Sequence, residues 1–64
     1  MDRDFLRSFR RWLREASLDE LRGRHLTVIA EIHRITSPEV KADARRLLKA
    51  LEQEITERLL LDRR

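Results

Sequence analysis

The sequence contains no cysteine, one glycine, one proline and no tyrosine among its 64 residues. Without cysteine, neither a disulfide nor a thiolate-held metal can stabilise the fold. A single glycine excludes a glycine-rich phosphate-binding loop. No apolar run approaches the roughly 18 residues of a membrane span, and the stretch Met1–Asp4 lacks the basic start of a signal peptide. We therefore expect one small soluble domain, covering residues 1–64, in the cytoplasm.

Charged residues, by contrast, make up 42% of the chain, and the net charge is +3. Residues 1–16 contain five arginines and three acidic residues, whereas the basic and acidic residues of 17–64 nearly balance. Lysine occurs only at positions 41 and 49. Arginine binds phosphates and carboxylates in a bidentate manner, so this choice is compatible with an anionic partner. The codon bias of a GC-rich genome would explain it equally well.

Capping residues and one proline divide the chain into three predicted helices, at about 3–16, 18–35 and 38–61. Asp2 is the expected N-cap of the first helix, and Ser17 with Glu20 forms a capping box for the second. Ser37 and Pro38 end the second helix and start the third. No internal repeat is recognised, and the last residues, 62–64, are expected to fray.

Each predicted helix has an apolar face with a period near 3.6 residues. In the first helix this face contains all three aromatic residues, and its members are Phe5, Leu6, Phe9, Trp12, Leu13 and Ala16. The second has Leu18, Leu21, Val28, Ile29, Ile32 and Ile35, with Leu26 to one side. The third has Val40, Ala44, Leu47, Leu48, Leu51, Ile55 and Leu59. The chain is therefore predicted to be all-α.

The short break before Pro38 favours an antiparallel helical hairpin, to which the N-terminal amphipathic helix is an accessory. Because 64 residues are few for a self-sufficient core, we favour a dimeric helical bundle over a monomeric three-helix bundle. The residues expected at the homodimer interface are His25, Leu26, Ile29, Leu51, Ile55 and Leu59. His25 is interpreted as a packing histidine with a hydrogen-bonded ring, the alternative being a pH-sensitive subunit contact.

Catalytic and metal-binding patterns are not found. The hydroxyl residues have no paired base at a suggestive spacing. His25 and His33 would lie roughly 12 Å apart along a helix, too far to share a metal ion. Glu54 and Arg58 are expected to form an ordinary surface ion pair, as are Glu20 and Arg24. We predict no enzymatic activity, no cofactor and no metal.

The arginine face of the first helix is the most informative feature for function. Like charges at i,i+4 oppose helix formation, so a chain that keeps such a row is expected to use it to bind an anion. The other interpretation is that nearby acidic residues offset the arginines and the face is only solvated. We predict a non-enzymatic, regulatory protein–protein interaction module that presents this helix to a partner. The partner-binding residues are then Phe9, Trp12, Arg7, Arg10, Arg11 and Arg14. The alternative is a nucleic-acid accessory protein that binds phosphates through Arg3, Arg7, Arg10, Arg11, Arg14, Lys41, Arg45 and Lys49. A membrane surface is disfavoured, because the hairpin needs the apolar face of the first helix as a cover.

One stretch, RSFRRWLREASLDEL from Arg7 to Leu21, resembles the start of the dimerisation segment of H-NS-type nucleoid proteins. In those proteins too, a short helix with spaced arginines leads into a capped, leucine-bearing helix. The break at Ser37 and Pro38 departs from their pattern. The resemblance covers a minor part of the chain, and the function of that family is not carried over.

Overall fold

The computed structural model describes residues 2–62, which form three α-helices in an all-α fold, confirming the predicted class. They are α1 (Arg3–Glu15), α2 (Leu18–Ile32) and α3 (Pro38–Asp62). Asp62, predicted to fray, is the last residue of α3, and the same prediction for residues 63 and 64 lies outside the described residues.

The first two helices start at the predicted caps. Asp2 accepts a hydrogen bond from the backbone N–H of Phe5 at 2.7 Å. The Ser17 hydroxyl accepts from the Glu20 N–H at 3.1 Å, and the Glu20 carboxylate accepts from the Ser17 N–H at 3.0 Å. Ala16 and Ser17 both have extended backbone, so the chain turns between α1 and α2 without glycine. The capping box is confirmed.

Helix α2 ends three residues before the predicted Ile35. The Arg34 N–H donates to the carbonyl of Glu31 at 2.9 Å, and the Ile35 N–H donates to that of Ile32 at 3.3 Å. These short i,i+3 bonds belong to a turn, because the chain needs the residues after Ile32 to reach the start of α3. The predicted end at Ile35 follows from the apolar period alone. Ile35 is indeed half-buried, but it is not helical.

Helix α3 begins at Pro38, as predicted. The Ser37 hydroxyl accepts from the Val40 N–H at 3.4 Å, and the Ser37 carbonyl accepts from the Lys41 N–H at 2.9 Å. With 25 residues, α3 is about 37 Å long and gives the molecule its long dimension.

The core lies where the three helices meet. It contains Leu13 of α1, its C-cap Ala16, Leu21 of α2 and Leu51 of α3, and the two leucines at 21 and 51 are fully buried. Half-buried apolar side chains surround it, namely Phe9, Trp12, Val28, Ala50 and Ile55. Helix α1 therefore packs on the other two helices, which also pack on each other.

The apolar faces are only partly covered. The exposed large apolar side chains are Phe5, Leu26, Ile29, Val40, Leu59, Leu60 and Leu61. Within residues 2–62, no helix combines the length and the apolarity that crossing a membrane requires.

Candidate functional site

The C-terminal end of α1 is held by a side chain from the other end of the chain. The Arg58 guanidinium donates to the carbonyl oxygens of Ala16, Leu13 and Arg14 at 2.8, 3.0 and 3.0 Å. The last carbonyls of a helix lack intrahelical partners and carry partial negative charge, so a cation is favourable there. Arg58 thereby fixes α1 to α3.

Glu54 orients Arg58. Its carboxylate accepts from Arg58 Nε at 3.1 Å, and both side chains are about three-quarters buried, with 23% and 26% exposed. The pair was predicted, but as an ordinary surface pair, and that interpretation is wrong. Sequence reasoning missed its role because the three carbonyls lie 42 to 45 residues from Arg58, beyond the reach of any local pattern.

Beside this anchor, α1 and α3 enclose an open cleft of about 650 Å³. Its floor contains Leu6 and Leu13, and Glu54 lines it from α3. Four arginines line the cleft beside the floor, namely Arg3, Arg7, Arg10 and Arg14. We call this site, with its seven lining residues, the arginine cleft.

A second groove, of about 350 Å³, continues the arginine cleft toward the middle of α3. It shares Leu6, Arg10 and Leu13 with the cleft. Its other lining residues are Phe9, Arg46, Leu47 and Ala50. The apolar floor thus extends onto α3 and ends beside a further arginine.

A seven-residue repeat in the sequence explains how the four arginines converge. The stretch RDFLRSF of residues 3–9 is followed by RRWLREA of residues 10–16, so that arginine, leucine and arginine recur at the same positions. Residues at i, i+4, i+7 and i+11 share one side of a helix, within about 60° of arc. The prediction that the chain has no internal repeat is therefore wrong for residues 3–16. Grouping of the arginines by i,i+4 spacing alone obscured this pattern.

Arg11 does not belong to the arginine cleft. It lies on the outer side of α1, where its Nε is 3.2 Å from the Glu15 carboxylate, and both side chains are largely exposed. Such a pair contributes at most about 1 kcal/mol. Arg11 is therefore separated from the other arginines predicted to bind a partner.

The charge of the cleft is poorly neutralised from within the described part of the chain. Among the side chains of residues 2–61, only one carboxylate, that of Glu54, lines the cleft, and it is already paired with Arg58. Arg46 lines the second groove, and its Nη1 lies 3.9 Å from Oδ1 of Asp43, the limit of an ion pair. The cleft thus offers several guanidinium groups to an anion next to an apolar surface.

The aromatic residues of α1 lie on its other side, where Phe9 and Trp12 face inward and Phe5 remains exposed. Phe5, Phe9 and Trp12 follow one another with ring centroids 6.2 and 5.9 Å apart. Phe9 and Trp12 are half-buried against the core, and Arg24 of α2 stacks over the Trp12 ring at 5.1 Å. The prediction that Phe9 and Trp12 are presented to a partner is not supported by this packing, which makes them supports of α1.

The second basic row, Lys41, Arg45 and Lys49, lies away from the arginine cleft. These residues are about 140° to 180° around α3 from Glu54, and none of them lines the cleft or the second groove. Lys49 instead lies beside Glu52. Within one chain the two basic rows therefore do not form one surface. Whether they share a face of a dimer stays a prediction.

The predicted dimer-interface residues separate into two groups. Leu51 is fully buried in the chain's own core, so its assignment to an interface is wrong, because intramolecular packing already covers it. Ile55 packs half-buried against the same core. The exposed members are Leu26, Ile29 and Leu59.

His25 makes a contact between helices. Its Nε2 lies 3.1 Å from the Glu52 carboxylate of α3, and the imidazole side chain is 22% exposed. The packing interpretation, with a hydrogen-bonded ring, matches this geometry. The interface role predicted for His25 stays a prediction.

No metal-binding arrangement exists in the region that the structure describes, where no three histidine or acidic side chains are grouped around one point. Comparison with known protein families, characterised proteins and solved structures gives no match. The fold and the site together define a small all-α protein with a cationic, apolar-floored cleft between α1 and α3.

Proposed function

We propose that this chain is a small non-enzymatic interaction module that presents the arginine cleft to a partner protein. The observation that carries the proposal is the convergence of Arg3, Arg7, Arg10 and Arg14 over an apolar floor. Arginine is enriched among the residues that dominate interface energies, because one side chain supplies both charge and apolar contact. The inward aromatic residues and Arg58 keep α1 in the position that forms the cleft.

The partner is tested by cross-linking in a lysate of the organism that makes the protein, followed by mass spectrometry. The double substitution Arg10→Glu and Arg14→Glu reverses the charge inside the cleft, and Arg11→Glu is the matched control outside it. We expect the wild type and the Arg11 variant to capture the same proteins, and the cleft variant to lose them. Equal capture by all three would contradict the proposal.

We also propose that α2 and α3 form an antiparallel hairpin. Arg58 of α3 contacts Ala16, just before α2, whereas Glu52 contacts His25. The residue number in α3 thus decreases, from 58 to 52, as the residue number of its contact increases, from 16 to 25. This is the order expected of antiparallel neighbours.

We propose further that the chain forms a homodimer through the face of the hairpin opposite α1. On that face Leu26, Ile29 and Leu59 remain exposed, at 66%, 37% and 38%. A chain of 64 residues buries a smaller fraction of its surface than a larger domain does, and a second copy would cover this patch. The arginine cleft, on the α1 side, would stay accessible in such a dimer.

Sedimentation velocity of two neighbouring variants tests the homodimer. Leu59→Glu places a charge on the proposed interface, and Leu60→Glu places the same charge about 100° further around α3. We expect the wild type and the Leu60 variant to sediment as dimers and the Leu59 variant as a monomer. A monomeric wild type at micromolar concentration would remove the dimer from the proposal.

Nucleic acid is the second candidate, because four exposed arginines along about 16 Å of one helix could bind successive phosphates. Two observations disfavour it. The Lys41 row lies elsewhere, and Trp12 packs inward, where it cannot stack on bases. Anisotropy of a labelled DNA duplex at low and moderate salt distinguishes the two. Tight, salt-sensitive binding that requires Arg10 and Arg14 would favour the nucleic-acid function.

A further inference from the structure

We propose that the arginine cleft binds an acidic amphipathic helix of the partner protein, with carboxylates at i, i+4, i+7 and i+11 beside an apolar stripe. This inference rests on the proposed function and specifies the chemistry of the partner.

The spacing of the arginines matches a helical partner. Arg3 and Arg10 are separated by seven residues, as are Arg7 and Arg14. Leu6 and Leu13 have the same separation and lie to one side of both arginine pairs on α1. A heptad repeat of charged residues beside apolar ones is the pattern with which one helix packs along another. A partner helix with the same period can place one carboxylate near each arginine over about 16 Å.

The floor of the cleft favours an apolar stripe on the same helix. Leu6 is half-buried, and the second groove continues the apolar surface to Leu47 and Ala50 of α3. Side chains that enter this groove would remove apolar area from water, which stabilises a complex in proportion to the area covered. A phosphate chain has no apolar groups at the matching positions, so it would leave the floor uncovered.

The charge of the cleft requires an acidic partner. The carboxylate of Glu54 is held by Arg58, and no other carboxylate lines the cleft among the side chains that the structure describes, those of residues 2–61. Guanidinium groups bind carboxylates in a bidentate geometry, and partial exclusion of water in a groove strengthens each pair. The occupant that satisfies both the charge and the floor is a helix with acidic and apolar residues side by side.

A fluorescein-labelled synthetic peptide tests the inference directly by anisotropy. The peptide carries glutamate at i, i+4, i+7 and i+11, leucine at i+3 and i+10, and alanine elsewhere. A first control replaces the four glutamates with glutamine. A second keeps the composition but moves the glutamates to the face opposite the leucines. We expect the affinity of each control peptide to be at least about tenfold lower than that of the designed peptide, because each loses either the ion pairs or their position beside the floor.

Variants of the protein locate the binding site. Arg10→Glu with Arg14→Glu should reduce the peptide affinity at least about tenfold, whereas Arg11→Glu should leave it within about twofold. Circular dichroism of each variant checks that the helices are retained. A measurement on the wild type alone is independent of folding in the variants: the methyl resonances of Leu6 and Leu13 should shift on titration, and those of Leu60 should not.

Three results would overturn the inference. They are equal affinity for the rearranged and the designed peptide, methyl resonances of Leu6 and Leu13 that do not shift on titration, and tighter binding of a DNA duplex than of the peptide. The first would indicate attraction by charge without helical geometry. The last would assign the cleft to nucleic acid. If the peptide fails while partner capture still depends on Arg10 and Arg14, the interaction function stands and only the helical chemistry of the partner is rejected.

Discussion

Replacing Arg58 with alanine is expected to release the C-terminal end of α1 from α3. In the wild type, this guanidinium donates three hydrogen bonds to backbone carbonyls of α1 and its junction with α2, at 2.8 to 3.0 Å. Alanine supplies none of them, and it leaves the three-quarters-buried carboxylate of Glu54 without its cation. The substitution therefore removes one anchor of α1 while keeping its apolar contacts.

The magnitude follows from those contacts. A hydrogen bond with a charged donor contributes about 1.5–3 kcal/mol when it is well shielded. The Arg58 side chain is 26% exposed, and water can replace part of what it supplies, so the total is less than the sum of three bonds. We expect Arg58→Ala to lower the free energy of unfolding by about 2–3 kcal/mol. For a domain of this size, the melting temperature should fall by roughly 10–20 °C.

Urea and thermal denaturation, followed by circular dichroism and by fluorescence of the single tryptophan, measure this change. Trp12 lies on α1, so its emission reports whether that helix remains packed. Arg45→Ala, on the exposed side of α3, is the matched control and should change stability by no more than about 0.5 kcal/mol. If Arg58→Ala were as mild as Arg45→Ala, the proposed anchoring of α1 would be refuted.

Three further predictions concern the second helix and the tryptophan. Hydrogen bonds from the backbone N–H of Ser17 and, second, from its hydroxyl lower the pKa of Glu20. The capping box therefore stabilises the fold above about pH 4.3, and this stability is lost as the pH falls through the lower pKa of the folded state. The difference in denaturation midpoint between the wild type and Glu20→Gln should shrink between about pH 7 and pH 3. Gly23→Ala should stabilise the protein by about 0.5–1 kcal/mol in a thermal melt, because the added Cβ meets no atom within 4 Å; destabilisation would indicate an unseen contact at Gly23. Trp12→Ala should lower the free energy of unfolding, measured in urea, by about 2–3 kcal/mol, because it removes half-buried packing and the Arg24 stack. Trp12→Phe should lower it less. Equal losses for the two variants would show that ring packing is unimportant.

The arginines of α1 show how far sequence reasoning could go toward the candidate site. The first helix and its basic side could be predicted, because period and propensity are local properties. The composition of the cleft could not be predicted in full, since Arg11 and Arg14 both follow i,i+4 rows, yet only Arg14 faces α3. The heptad repeat was present in the sequence and would have separated them. Arg46, by contrast, joins the adjoining groove only because α1 packs beside α3.

The sequence by itself determined the all-α class and the starts of the three helices. Caps and apolar periods act over three or four residues, so they need no knowledge of the rest of the chain. The tertiary structure alone decided that Leu51 is core, that Phe9 and Trp12 support α1, and that Arg58 caps it. The physical reason is that all of these roles depend on which helix faces cover one another, and the contacts that set this join residues far apart in the chain.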